Sequence, residues 1–189
     1  MGKGYNYRPR TKIDTSTSQR KDVRTVEQVI RKVEKDSTGN VEKLKITTTN
    51  GTRVEISQTD YSSRHWHALW YYLSEGDVVK IQHYAGKIQK AYVEVDQQYF
   101  LLLQTSYGET EELLLTLKDA NGKMRTAKIN ERDIENEKMS SEDGYGMYYD
   151  YAQTCEHLTN AIEWDESIDV TILGERVAMI EFEAHWWDD

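Results

Sequence analysis

One proline, one cysteine and two phenylalanines in 189 residues leave little room for several kinds of architecture. A lone cysteine, Cys155, cannot close an internal disulfide, which removes disulfide-stapled scaffolds and makes a reducing cytoplasm the expected location. The five histidines fall at no metal-ligand spacing with it, so neither a metal nor a cofactor is expected. No run of eighteen apolar residues occurs, and the basic, tyrosine-rich start from Met1 to Arg10 has no apolar stretch behind it. The sequence therefore predicts neither a membrane-spanning helix nor a signal peptide. Also missing are a Ser/His/Asp set, a phosphate loop, a glycine-rich cradle and paired carboxylates at acid–base spacing, so no enzyme is expected.

What is present is a foldable composition, 38% hydrophobic and 30% charged, in which charge is sorted along the chain. Residues 1–24 carry seven Lys/Arg against two Asp, residues 25–96 ten against ten, and residues 97–189 seven against twenty-one. The net charges are +5, 0 and −14. A front of that sign attracts a polyanion, and a back of that sign repels one or attracts a basic protein. Residues 1–24 show neither strand nor helix period and read as a flexible basic arm.

After the arm, two halves repeat one pattern. Leu44-Lys-Ile46-Thr-Thr48, Asn50-Gly51 and Val54-Glu-Ile56 form a hairpin signal, the Asn-Gly pair offering two left-handed turn positions. His65 to Leu73 has apolar residues at helical spacing (Trp66, Leu69, Trp70, Leu73), followed by Val79-Lys-Ile81, a turn at Ala85-Gly86-Lys87, and a strand from Ile88 to Val95. In the second half Leu113 to Leu117, Asn121-Gly122 and Met124 to Ile129 repeat the hairpin. A helix from about Tyr149 to Trp164 and a hairpin of Val170-Thr-Ile172, Gly174 and Val177 to Phe182 follow. The Asn-Gly turns lie 71 positions apart, and Val79/Val170 and Ile81/Ile172 lie 91 apart. The polar stretch 131–146 holds the difference. Tyr99 to Gln104 reads as a strand ahead of the second hairpin. Its counterpart near Val29 to Glu34 reads either as a strand, which the repeat favours, or as a helix, since Val26, Val29, Ile30 and Val33 sit at i, i+3, i+4, i+7 behind a Thr25/Gln28 capping box.

Three strands, a helix and two strands, with Leu73-Ser-Glu-Gly76-Asp77-Val78-Val79 leading into the fourth strand, resemble the OB-fold, over residues 25–96 and 97–185. In the second half the lead-in departs from that pattern, reading Trp164-Asp-Glu-Ser-Ile168-Asp. The resemblance implies an all-β chain with minor α: two tandem five-stranded OB-like barrels, each with one helix between strands 3 and 4. A pair of SH3-like barrels, or one larger mixed sheet, is the competing architecture. The domains expected are the arm 1–24, barrel 1 at 25–96, and barrel 2 at 97–189 with the 131–146 insertion and a short acidic aromatic tail.

The resemblance also implies where ligands sit: on strands 2 and 3 and in the loops joining strands 1 to 2 and 4 to 5. In barrel 1 that places Lys43, Lys45 and Arg53 outward, with Lys80, Tyr84, Lys87 and Lys90 on the fourth and fifth strands and their loop. Cations interleaved with a ring suit single-stranded nucleic acid, although outward lysines are also ordinary on a solvated strand. Around the first helix, Arg64-His65-Trp66-His67 with Trp70, Tyr71 and Tyr72 is the densest aromatic region. On a helix the two histidines diverge by about 200°, so one metal is not expected there, and the tryptophans read as core. The insertion holds Tyr145, Tyr148 and Tyr149, a cluster suited to protein contact or to a packed flap. The end, with Trp186 and Trp187, looks like the acidic aromatic tails by which bacterial and phage single-strand-binding proteins recruit partners; the alternative is that the tryptophans cap the second barrel.

The expected function is a non-enzymatic one, binding single-stranded nucleic acid through barrel 1 and the arm, with protein contacts through acidic barrel 2. The alternative is an inhibitor or interaction module whose acidic surface imitates nucleic acid.

Overall fold

A computed structural model describes residues 23–110 and 112–183. The chain is mostly β. β1 (Val23–Asp36), β2 (Lys43–Thr48) and β3 (Arg53–Ser57) precede helix α1 (Ser63–Tyr72), then β4 (Val78–Tyr84) and β5 (Lys87–Tyr92). After two linking residues come β6 (Val95–Tyr107), β7 (Glu112–Lys118), β8 (Met124–Asn130), α2 (Glu131–Glu135), β9 (Ser140–Asp143), α3 (Tyr151–Glu163), β10 (Ser167–Leu173) and β11 (Arg176–Phe182).

Residues 23–36 form a strand, not a helix. Of the four apolar positions that fit a helix, only Ile30 is fully buried, and the backbone is satisfied by two different neighbours. Val23 to Val29 pair antiparallel with β4, and Ile30 to Asp36 pair with β2, with a bulge between Ile30 and Lys32 where the strand changes partner. The first sheet runs β3-β2-β1-β4-β5 and is nearly closed: β3 and β5 approach without forming a ladder. The second sheet runs β10-β6-β7-β8-β11-β9, and because β10 also pairs with β11 it makes a ring, closed by a parallel pair at Arg176 and Lys128. This connectivity is compatible with an OB-like fold.

Two expectations need correction. The 131–146 stretch is a structured addition, with a second helix and an edge strand, so the second half does not have a single helix. The Asn-Gly hairpins are real, but only Gly51 (φ 87°) and Gly122 (φ 81°) are left-handed. Each loop is longer than two residues, with Gly51 and Gly122 donating backwards to Thr48 and Asp119, so a common right-handed turn precedes the left-handed glycine. The tight turn with two left-handed residues lies instead at Ala85-Gly86 (φ 48° and 77°).

Two cores result. Leu44, Ile46, Ile56, Trp66, Leu69, Val79 and Ile81 fill the first, and Phe100, Leu115, Leu117, Ile129, Leu158, Val170, Ile172 and Ile180 fill the second. They are not independent: Leu173 and Ala178 of the β10–β11 hairpin belong to the first core. That hairpin is buried on both faces, one against its own interior and one against the first half. Asp150 caps α3 in a reciprocal capping box with Gln153, and the Thr154 and Ser141 hydroxyls, 2.5 Å apart, tie the helix to β9.

Candidate functional site

Strand β2 alternates as its sequence requires: Leu44, Ile46 and Thr48 point inward, while Lys43, Lys45 and Thr47 face out. Register places Glu34 of β1, Lys45 and Glu55 of β3 side by side. The outward lysines are consequently engaged with neighbours. Lys43 Nζ lies 2.7 Å from Glu55, Lys45 Nζ 2.6 Å from Asp36, and Lys32 Nζ 2.9 Å from Glu34. Hydrogen bonds from Lys45 and Thr38 hold the Asp36 carboxyl well below the usual carboxylate range, and the same carboxylate raises Lys45. These pairs are solvent-exposed and screened, so an incoming phosphate can displace the carboxylates. Arg31, Lys32, Lys45 and Arg53 border a groove of about 530 Å³ on this face, together with Glu34 and Glu55. Arg31 and Lys32 were not singled out in the sequence, because the strand-or-helix ambiguity of residues 25–36 hid which face they occupy.

The other cations proposed from sequence are dispersed. Lys80 lines a separate cleft of about 350 Å³ between the two halves, where it pairs with Glu94 at 2.7 Å and Glu27 at 3.3 Å. Tyr84, Lys87 and Lys90 are exposed on the β4–β5 hairpin, Tyr84 directly beside Lys87 across the two-residue turn.

The first helix turns one face to the core and another, with Arg64, His67 and Tyr71, to the surface. Trp66 is buried, its indole N–H donating to Glu42 Oε2 at 2.7 Å. His67 packs on the exposed Tyr71, their rings 4.5 Å apart, and the Lys35 ammonium sits 5.3 Å from both the Trp70 and Tyr71 rings.

In the second half, Tyr145 and Tyr148 are 61% and 68% exposed and flank the exposed Met147. Tyr149 turns inward, stacked on His157 at 4.3 Å and tilted against Phe182 at 6.0 Å, and burial pushes its hydroxyl pKa up. The loop is pinned. Asp143 Oδ1 accepts from the Tyr145 and Met147 N–H groups, both at 2.9 Å, and Tyr149 N–H donates to Ser141 O at 2.8 Å. A groove of about 490 Å³ separates this loop and β9 from α1, with Tyr71 and Tyr72 on one wall and Tyr148 and Tyr149 on the other. Both tyrosine clusters were visible in the sequence; that they face one another was not, since 76 positions separate Tyr72 from Tyr148. Trp186 and Trp187, and nearly all of the basic arm, lie outside the described residues.

No protein family, curated protein or solved structure matches this chain.

Proposed function

We propose that this is a non-enzymatic binding protein of two OB-like units, the first taking single-stranded nucleic acid along its β1–β2–β3 face and the second contacting protein. The OB-like reading is supported by strand order. In each half the first strand is shared between the second and fourth strands, and a helix (α1, α3) lies between the third and fourth. The single observation that carries the ligand is the groove bordered by Arg31, Lys32, Lys45 and Arg53, four cations against two carboxylates on the β1–β2–β3 face. Tyr84 on the adjoining hairpin supplies a ring on which a base can stack.

The test is a titration of fluorescent oligonucleotides, single- and double-stranded, at several salt concentrations. With four phosphates engaged, log affinity falls with log salt at a slope of about −3. Changing Arg31 and Arg53 together to Ala weakens binding and flattens the slope by about 1.4, and Tyr84→Ala costs about 1–3 kcal/mol. No single-strand affinity at low salt overturns the reading.

A second reading, that the acidic half imitates nucleic acid toward a basic partner, draws on the net −14 of residues 97–189 and on the carboxylates that already occupy Lys43 and Lys45. It requires that the intact protein bind no oligonucleotide at all.

A further inference from the structure

Three carboxylates stand in a row on the face of the second sheet that α1 covers in part. Asp169 of β10 lies opposite Glu181 of β11, and Glu181 lies opposite Glu142 of β9, so all three point to the same side. Tyr72 reaches this face from α1, its hydroxyl 3.7 Å from Met179 Sδ, and Tyr148 is paired with Glu142 across an isolated bridge. The row therefore ends beside the groove walled by Tyr71, Tyr72, Tyr148 and Tyr149, Glu142 being next in the chain to Ser141 of its lining.

We propose that this tyrosine-walled groove, with the carboxylate row beside it, is a docking site for an extended protein segment bearing arginine or lysine side chains. The proposal rests on the protein-contact part of the function proposed above and names the chemistry of that contact.

Charge selects the occupant. Against the three carboxylates stands one arginine, Arg64, already bonded to Asp169 Oδ2. Asp169 Oδ1 is buried without a hydrogen-bond partner, so Arg64 leaves part of the row's negative charge uncompensated. Of the lysines beside the groove, Lys35 sits 5.3 Å from the Tyr71 ring, and Lys138, between the lining residues Glu137 and Met139, turns its ammonium to the Glu75 carbonyl at 3.4 Å. Burial, and after it the charges of Asp169 and Glu142, push the Glu181 carboxyl above its ordinary pKa, as expected for like charges crowded without enough counter-charge. A polyanion is repelled here. A guanidinium, by contrast, can take a carboxylate bidentately and lie over a tyrosine ring.

Recognition must be by side chains. The β9 edge, where a peptide could otherwise add as a strand, is already used: Ser141 O accepts from Tyr149 N–H, and Asp143 N–H donates to Met147 O. Tyr148, 68% exposed, remains as a stacking platform, whereas Tyr71 already carries His67 and the Lys35 ammonium.

The probe is a fluorescein-labelled nonapeptide of alternating serine and arginine, with citrulline and glutamate counterparts, followed by anisotropy with the full chain. The arginine peptide binds, and the citrulline and glutamate peptides bind at least tenfold more weakly. Tyr148→Ala and the conservative Glu142→Gln each weaken arginine-peptide binding at least fivefold with the circular dichroism spectrum unchanged. Glu163→Gln, which removes the same charge from exposed α3, changes it less than twofold. The Arg31→Ala/Arg53→Ala variant, which tests the nucleic-acid face, leaves it unaltered, so the two readings fail separately. The proposal is overturned by equal binding of the citrulline peptide, by an equal loss in Glu163→Gln (general attraction to an acidic chain), by full affinity in Tyr148→Ala/Glu142→Gln, or by a self-association that Tyr148→Ala abolishes, which assigns the groove to a second copy.

Discussion

Arg176 meets Asp77 through two parallel hydrogen bonds, Nε to Oδ1 at 2.7 Å and Nη2 to Oδ2 at 2.9 Å, and both side chains are almost wholly buried. The remaining guanidinium N–H groups also have partners: Nη1 donates to the Lys138 carbonyl at 2.6 Å and, at the long distance of 3.5 Å, to the Val177 carbonyl, and Nη2 to the Tyr72 carbonyl at 2.8 Å. Asp77 accepts in addition from the Ser74 N–H at 2.9 Å. One side chain of the second half thus fastens the C-terminal end of α1, the lead-in to β4 and the segment before β9. Such a pair tolerates its desolvation only because every donor is matched, so removing one partner leaves a buried charge without compensation.

Breaking the pair is therefore costly from either side. Arg176→Met and Asp77→Asn each destabilise the protein by about 3–5 kcal/mol, and the double variant loses less than the sum. Urea unfolding of the four proteins in a double-mutant cycle measures this; additive losses would mean that the two residues act separately.

The shared core predicts joint unfolding. Leu173 comes from the second half and is buried in the core of the first, so Leu173→Ala costs about 2–5 kcal/mol. It lowers amide-exchange protection in β2 as well as in β7. Loss of protection confined to β7 would show that the halves unfold independently.

The carboxylate row sets a pH dependence. Because the folded-state pKa of Glu181 is raised, the stability linked to its protonated form is present below the unfolded carboxylate value and is lost as pH rises through the folded value. Glu181→Gln accordingly raises the melting temperature at pH 7–8, and the gain disappears near pH 4. Melting curves over that range check the sign; a lower melting temperature at pH 7 contradicts it.

At the alkaline end Tyr151 titrates late. Burial, and after it the neighbouring Cys155, pushes its phenol up to about 12. Stability tied to the neutral phenol is complete below about 10 and lost as pH climbs through about 12. Ultraviolet difference titration shows a late-ionising component that shrinks by one tyrosine in Tyr151→Phe, whose stability also falls less steeply between pH 10 and 12.

What could be read from the sequence was local. The alternation of Leu44, Ile46, Val54 and Ile56 fixed two strands and their inward faces, and the matched pairs Val79/Val170 and Ile81/Ile172 proved fully buried. The Asn-Gly pairs located both hairpins although not their turn geometry, because the number of loop residues depends on where the flanking ladders stop. Residues 25–36 were ambiguous since Val26, Val29, Ile30 and Val33 satisfy a helix period; the choice fell to strands β2 and β4, which supply the backbone partners. Lys43 and Lys45 were correctly placed outward, but their carboxylate partners lie on neighbouring strands and emerge only with the register.

Periodicity, turn residues and caps act over a few positions, and the sequence by itself determined them: a mostly β chain with sorted charge. The tertiary structure alone decided the contacts between the two halves. Arg176 and Asp77 stand 99 positions apart, Asp169 and Arg64 stand 105 apart, and the facing tyrosines of α1 and the second half belong to separate elements. No local preference encodes such pairings, because they depend on how a nearly closed sheet and a ring-like one bury their remaining apolar faces against one another.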